Sequence, residues 1–214
     1  AVSAALQSPF ELESIEPRVL SAAALRQTDV AVLLNVGSLN SGQAQALTNY
    51  VRRGGSVLFA PADRVQAETF NSLFADITPA LIQRQGSSRD DYLVIADFDR
   101  RHPILRPLGN EWSARFENHW SLAPVEGADV LMQFDSAEPA LVERTVGAGR
   151  TLLFASSLDL EWNNLALQGL FLPFVHETLR HLAQAENIKR DFEVGTSFNL
   201  GGNAPAGINI SATD

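Results

Sequence analysis

The chain of 214 residues is 45% apolar, enough to bury a core of ordinary size in one domain with a short appendage. Its formal net charge of -9, without a Lys/Arg cluster, disfavours tracking of nucleic-acid phosphates or docking on anionic lipid. There is no cysteine, which excludes thiol nucleophiles, disulfides and zinc-thiolate sites and leaves the compartment open.

No apolar run approaches the roughly 18 residues needed to span a bilayer, and no signal peptide is visible. The chain starts without an initiator Met on AVSAALQ, which reads as the last turns of a helix, so an excised piece of a longer protein, lacking its first strand, is expected. Phe10 to Ile15 alternates apolar and acidic residues and reads as an edge strand stopped at Pro17. Val19 to Arg26 reads as a short helix.

Asp29 to Asp63 is the central unit. Val30 to Leu34 and Val57 to Ala60 are unbroken apolar runs, as expected of parallel strands covered on both faces, and the segment between them has helical periodicity. Asn40 or Ser41 can cap that helix, and Leu47, Tyr50 and Val51 share its buried face. Arg52 and Arg53 suit the negative end of the helix dipole, and Gly54 supplies a left-handed terminator.

Beyond it, Arg64 to Phe74 is predicted helical, Gln83 to Asp91 a mobile loop, and Tyr92 to Ala96 a strand. His102-Pro103 opens an irregular connection. Ala114 to Leu122 and Asp129 to Phe134 read as strands, and Leu141 to Val146 and Thr151 to Ala155 as an antiparallel hairpin about Gly147-Ala148-Gly149. A final helix carries Leu167, Leu170, Phe171, Phe174, Val175, Leu179 and Leu182, with Pro173 placing its start near Leu172 or a kink there. Residues 187–214 read as a hairpin or loop tail.

The segments DVAVLLNV, YVRRGGSVLFAPADRV, HPILRPL, ALVERTVGAGRTLLFASSLDLEWNNL and FLPFVHETLRHL, in this order, resemble the class I glutamine amidotransferase-like (flavodoxin-like) fold. More narrowly, they resemble that domain in bacterial membrane-anchored proteins with an aerotolerance-type N-terminal region and a von Willebrand factor A domain. The resemblance implies a three-layer α/β sandwich over residues 1–186, with a mostly parallel sheet and the 140–155 hairpin antiparallel. It also implies a cell-envelope location, membrane-anchored through other segments and extracytoplasmic, with other domains of the parent protein or envelope proteins as partners.

The resemblance places a cysteine nucleophile where this chain has Leu58-Phe59-Ala60-Pro61-Ala62-Asp63, and a His-x-Glu pair where it has Ser156-Ser157-Leu158-Asp159. Neither alanine nor proline can attack an amide carbon, so no catalytic residue is carried over. Ligands of open parallel sheets bind outside the carboxyl ends of the strands. The candidate rim there is Asn35, Gly37, Ser38, Asp63, Arg64, Ser156, Asp159, Glu161 and Trp162. On the plainer reading Asp63 and Asp159 cap helices or turns and Trp162 is core.

Gly147-x-Gly149 lies between strands and is no phosphate loop. His176 and His181, five apart, sit on different helix faces and read as surface side chains, with His102 and His119 isolated, so no metal site and no cofactor are expected. The expected function is a non-catalytic domain for protein interaction or ligand sensing. The alternatives are a serine-dependent hydrolase at Ser156 or Ser157, whose FASSLD lacks an elbow glycine, and a small-molecule or sugar-binding module.

Overall fold

The computed structural model describes residues 10–87, 92–110 and 112–183. The expected helix at Ala1 to Gln7, and residues 187–214, lie outside them. The central unit forms as its sequence dictates. Strands β1 (Val30–Leu34) and β2 (Ser56–Ala60) pair in parallel, Val30 opposite Ser56 and Leu34 opposite Ala60.

Helix α1 (Ser41–Arg52) crosses between them. Asn40 Oδ1 accepts from the Gln43 N–H at 2.9 Å and Gln43 Oε1 accepts from the Asn40 N–H at 3.0 Å, a reciprocal capping box. Gly54, at φ 119°, ends the helix in a conformation that a side chain rarely adopts. All five residues of β2 are buried.

The remaining elements are α2 (Ala67–Phe74), β3 (Ala80–Ser87), β4 (Ile95–Phe98), β5 (Asn118–Pro124), β6 (Ala128–Phe134), β7 (Pro139–Val146), β8 (Gly149–Phe154) and α3 (Phe171–Ala183). The main sheet has six strands in the order β1-β2-β8-β7-β6-β4. Only β1-β2 and β2-β8 are parallel, whereas β8-β7, β7-β6 and β6-β4 are antiparallel, and β3 pairs with β5 antiparallel in a separate ribbon.

The expected mostly parallel, flavodoxin-like sheet is thereby corrected to a mixed one in which antiparallel pairing dominates. Full burial of a strand reports cover on both faces, not the direction of its neighbours. β8 is buried on both faces, yet it runs parallel to β2 on one side and antiparallel to β7 on the other.

Both faces of the sheet are indeed covered. Phe59 of β2 packs on Phe70 and Phe74 at 5.3 and 5.0 Å between ring centres, and Thr151 Oγ1 donates to Ile77 O at 2.7 Å. On the opposite face, Phe154 meets Phe174 of α3 at 6.0 Å and Ser56 Oγ donates to Leu182 O at 2.9 Å.

Three local expectations change. Val19 to Arg26 forms no α-helix, only 3-10 turns at Pro17–Val19 and Ala24–Gln27. Phe10 to Ile15 forms no strand and leaves Leu12 88% exposed, since alternation alone does not make a strand: the ladder also needs a neighbouring strand in register. The expected loop from Gln83 is β3 as far as Ser87, paired with β5 through an irregularity between Ile82 and Gln85. No described helix is long and apolar enough to cross a membrane.

Candidate functional site

The rim at the carboxyl ends of the parallel strands forms in two separate parts. At the end of β1 the backbone of Asn35 turns to φ 49° while its N–H still donates to Ala60 O at 2.9 Å. The Asn35 side chain then donates to Asp63 Oδ1 at 2.6 Å and accepts from the Arg64 N–H at 3.0 Å. Gly37 lies against the Arg64 backbone so closely that a Cβ there would stand 2.1 Å from the Arg64 carbonyl oxygen. Asn35, Gly37, Asp63 and Arg64 are thus one clamp between the loops after β1 and β2. Ser38 opens instead onto a shallow depression shared with Arg18, Leu39, Asn40 and Gln43.

The second part follows β8. Ser156 is fully buried; its Oγ donates to Asn118 O at 2.9 Å and accepts from Asn163 Nδ2 at 3.0 Å. Ser157 Oγ donates to Asp159 Oδ1 at 2.6 Å, which also receives the Glu161 N–H at 3.0 Å. Trp162 is 4% exposed and packs on Trp120 with ring centres 6.2 Å apart. Asp159 is a turn acceptor and Trp162 a core residue, as the plainer reading had it. Among the described residues no hydrogen bond joins these two parts.

The rim extends to a cluster that sequence reasoning missed. β7 runs against β8, so its first residues, like the end of β8, lie at this end of the sheet, with Leu141 opposite Phe154. Glu138, just before β7, holds His119 Nε2 at 2.9 Å and accepts from Ser121 Oγ at 2.8 Å, with Arg84 at 3.5 Å. Burial pushes the Glu138 pKa up, but hydrogen bonds from Ser121 and His119 outweigh it and hold the carboxyl below its ordinary value. The carboxylate stands between hydroxyl and imidazole, so the order is not that of a Ser-His-acid relay, in which the imidazole must reach the nucleophile. The members come from β3, β5 and the β6-β7 turn, and no spacing in the chain announces them.

Across the sheet, beneath α3, a second cluster overturns the reading of the histidines. His181 is buried, and its Nε2 lies 2.6 Å from Glu143 Oε1; His102 Nε2 lies 3.2 Å from Glu143 Oε2, and the two rings meet edge to face at 4.7 Å. Arg150 Nη1 is 3.4 Å from Glu143 Oε1 and 2.8 Å from His181 Nε2.

Burial raises the pKa of Glu143, but the hydrogen bonds from His102 and His181 hold it well below the ordinary carboxylate range, so it is ionised. The one visible hint was an acidic residue, Glu143, inside a predicted strand; its partners are 41 and 38 positions away. His176, by contrast, is half exposed beside Glu177, as the helical spacing implied.

No family model matches the chain, and no curated protein matches it in sequence. Solved structures do share its fold. The cytoplasmic protein STM3548 from Salmonella typhimurium is 16% identical, with a TM-score of 0.66 over 76% of this chain and 75% of that one. STM1381, a cytoplasmic protein of the LT2 strain, is 19% identical over 76% of this chain and 75% of its own, also at 0.66.

A β-galactosidase from Rahnella sp. R3 is 17% identical at a TM-score of 0.56, covering 72% of this chain but 22% of its own. Such likenesses show the fold alone. None of these three is described as an amidotransferase, and with the mixed, mostly antiparallel sheet they overturn the amidotransferase-like and flavodoxin-like labels. Two of them are described as cytoplasmic, which points away from the expected extracytoplasmic envelope location.

Proposed function

We propose that this chain is a non-catalytic binding module that acts through ligand sensing or protein interaction at the strand-end rim. The observation that carries the proposal is the commitment of the two serines. Ser156 gives its hydroxyl hydrogen to the Asn118 carbonyl and Ser157 gives its own to Asp159, so neither hydroxyl is placed for deprotonation by an imidazole. These contacts speak against the serine-hydrolase alternative.

Recurrence of the fold supports the module reading: it makes up three quarters of STM3548 and about a fifth of a much larger β-galactosidase. Incubating the protein with glutamine and with generic ester, amide and galactoside substrates should give no turnover. Turnover abolished by Ser156→Ala or Ser157→Ala overturns the proposal. Thermal-shift screening with sugars and small metabolites then reports binding, since a ligand that binds only the native state raises its melting temperature by mass action.

A further inference from the structure

We propose that His102, Glu143 and His181 form a binding site for a zinc-like divalent ion, in which Arg150 is the internal cation that takes the ion's place when none is bound. Two imidazoles and one carboxylate are the donor set of borderline ions such as Zn²⁺, with metal-ligand distances of about 2.0–2.2 Å. Two ligands on one such ion stand at most about 4.2 Å apart. The 2.6 Å and 3.2 Å separations from Glu143 to the two imidazoles lie within that limit; the three donor atoms together lie within 4.8 Å of one another, so binding draws the two imidazoles slightly closer to each other. The three come from α3, β7 and the connection after β4, and their side chains are only 8–11% exposed.

The geometry at His181 points to an ion. An imidazole nitrogen has one in-plane position, occupied either by a hydrogen or by a lone pair. At Nε2 that position is claimed both by a carboxylate oxygen at 2.6 Å, which needs the hydrogen, and by a guanidinium nitrogen at 2.8 Å, which needs the lone pair. A proton satisfies only one of them. A metal ion takes the lone pair of His181 and an oxygen of Glu143 together, and Arg150, 24% exposed, can turn out to solvent.

One contact opposes this arrangement. His102 Nδ1 accepts the Ile104 N–H at 3.3 Å, and coordination through Nε2 would move the ring hydrogen to Nδ1 and break that bond. A neutral bond of this kind is worth about tenfold in an equilibrium, far less than the affinity of structural zinc sites. With three protein ligands, the fourth position falls to water.

The test uses protein stripped with a chelator, dialysed and titrated with Zn²⁺ or Co²⁺. Expected are one equivalent of Zn²⁺ per chain, a visible Co²⁺ absorption band of a four-coordinate ion, and a raised melting temperature. His181→Gln and His102→Gln, confirmed folded by circular dichroism, should weaken binding more than about tenfold, while the surface control His176→Gln leaves it unchanged. Arg150→Gln keeps every ligand and removes the competing cation, so it should bind zinc more tightly. No uptake by the wild-type chain, uptake indifferent to His181→Gln, or weaker binding in folded Arg150→Gln overturns the proposal.

Discussion

Nε2 of His181, in the last turn of α3, lies 2.6 Å from Oε1 of Glu143 in the middle of β7. This contact and the Ser56-Leu182 hydrogen bond hold the end of the helix on the sheet. Glu143→Leu removes the acceptor for His102, His181 and Arg150 at once. Leaving buried donors without their charge partner should cost about 3–5 kcal/mol in urea unfolding. A second substitution, His181→Leu, should recover part of that loss, because replacing a buried pair with apolar side chains is far less costly than breaking it. A loss below about 1 kcal/mol for the single variant contradicts a structural role for the carboxylate.

Gly37→Ala tests the clamp at the first part of the rim. The added methyl would lie 2.1 Å from the Arg64 carbonyl oxygen, a backbone atom that cannot rotate away. Overpacking of this kind typically costs about 1–3 kcal/mol. The expected outcome is a destabilisation in that range, with altered NMR shifts for the Asn35 side-chain amide, which bridges Asp63 and Arg64. Unchanged stability and unchanged Asn35 resonances would show that the two loops are not locked together.

Glu138 links stability to pH. Its folded-state pKa lies below the ordinary 4.5, because the Ser121 and His119 hydrogen bonds outweigh burial. A carboxyl group with a depressed pKa contributes stability that is present above its unfolded value and is lost as pH falls through the folded one. Wild type should therefore exceed Glu138→Gln in stability near neutrality, and the two should converge as the pH is lowered below about 4.5. Urea midpoints across that window report this; a difference that widens on acidification contradicts the assignment.

Much of the local structure was legible along the chain. Asn40, Gly54 and the periodicity of Leu47, Tyr50 and Val51 specify α1 through interactions within a few residues, and they form as read. The hairpin about Gly147 was equally local. The direction of pairing between strands distant in the chain was not legible, because an unbroken apolar run such as Leu152 to Ala155 records only that both faces are covered. The rim was legible in part. Asn35, Gly37, Asp63 and Arg64 do converge, while Ser156, Asp159 and Trp162 serve a turn and the core.

The sequence by itself determined the elements, their caps and the exclusion of thiol chemistry, since each rests on residue type or on short-range spacing. Only the tertiary structure decided the mixed sheet and the polar clusters. Glu143 meets His102 and His181 at sequence separations of 41 and 38, and Glu138 meets His119 at a separation of 19. Such meetings depend on which strands lie side by side and on where α3 rests. That arrangement is set by burial of the whole core, and no single stretch of the chain encodes it.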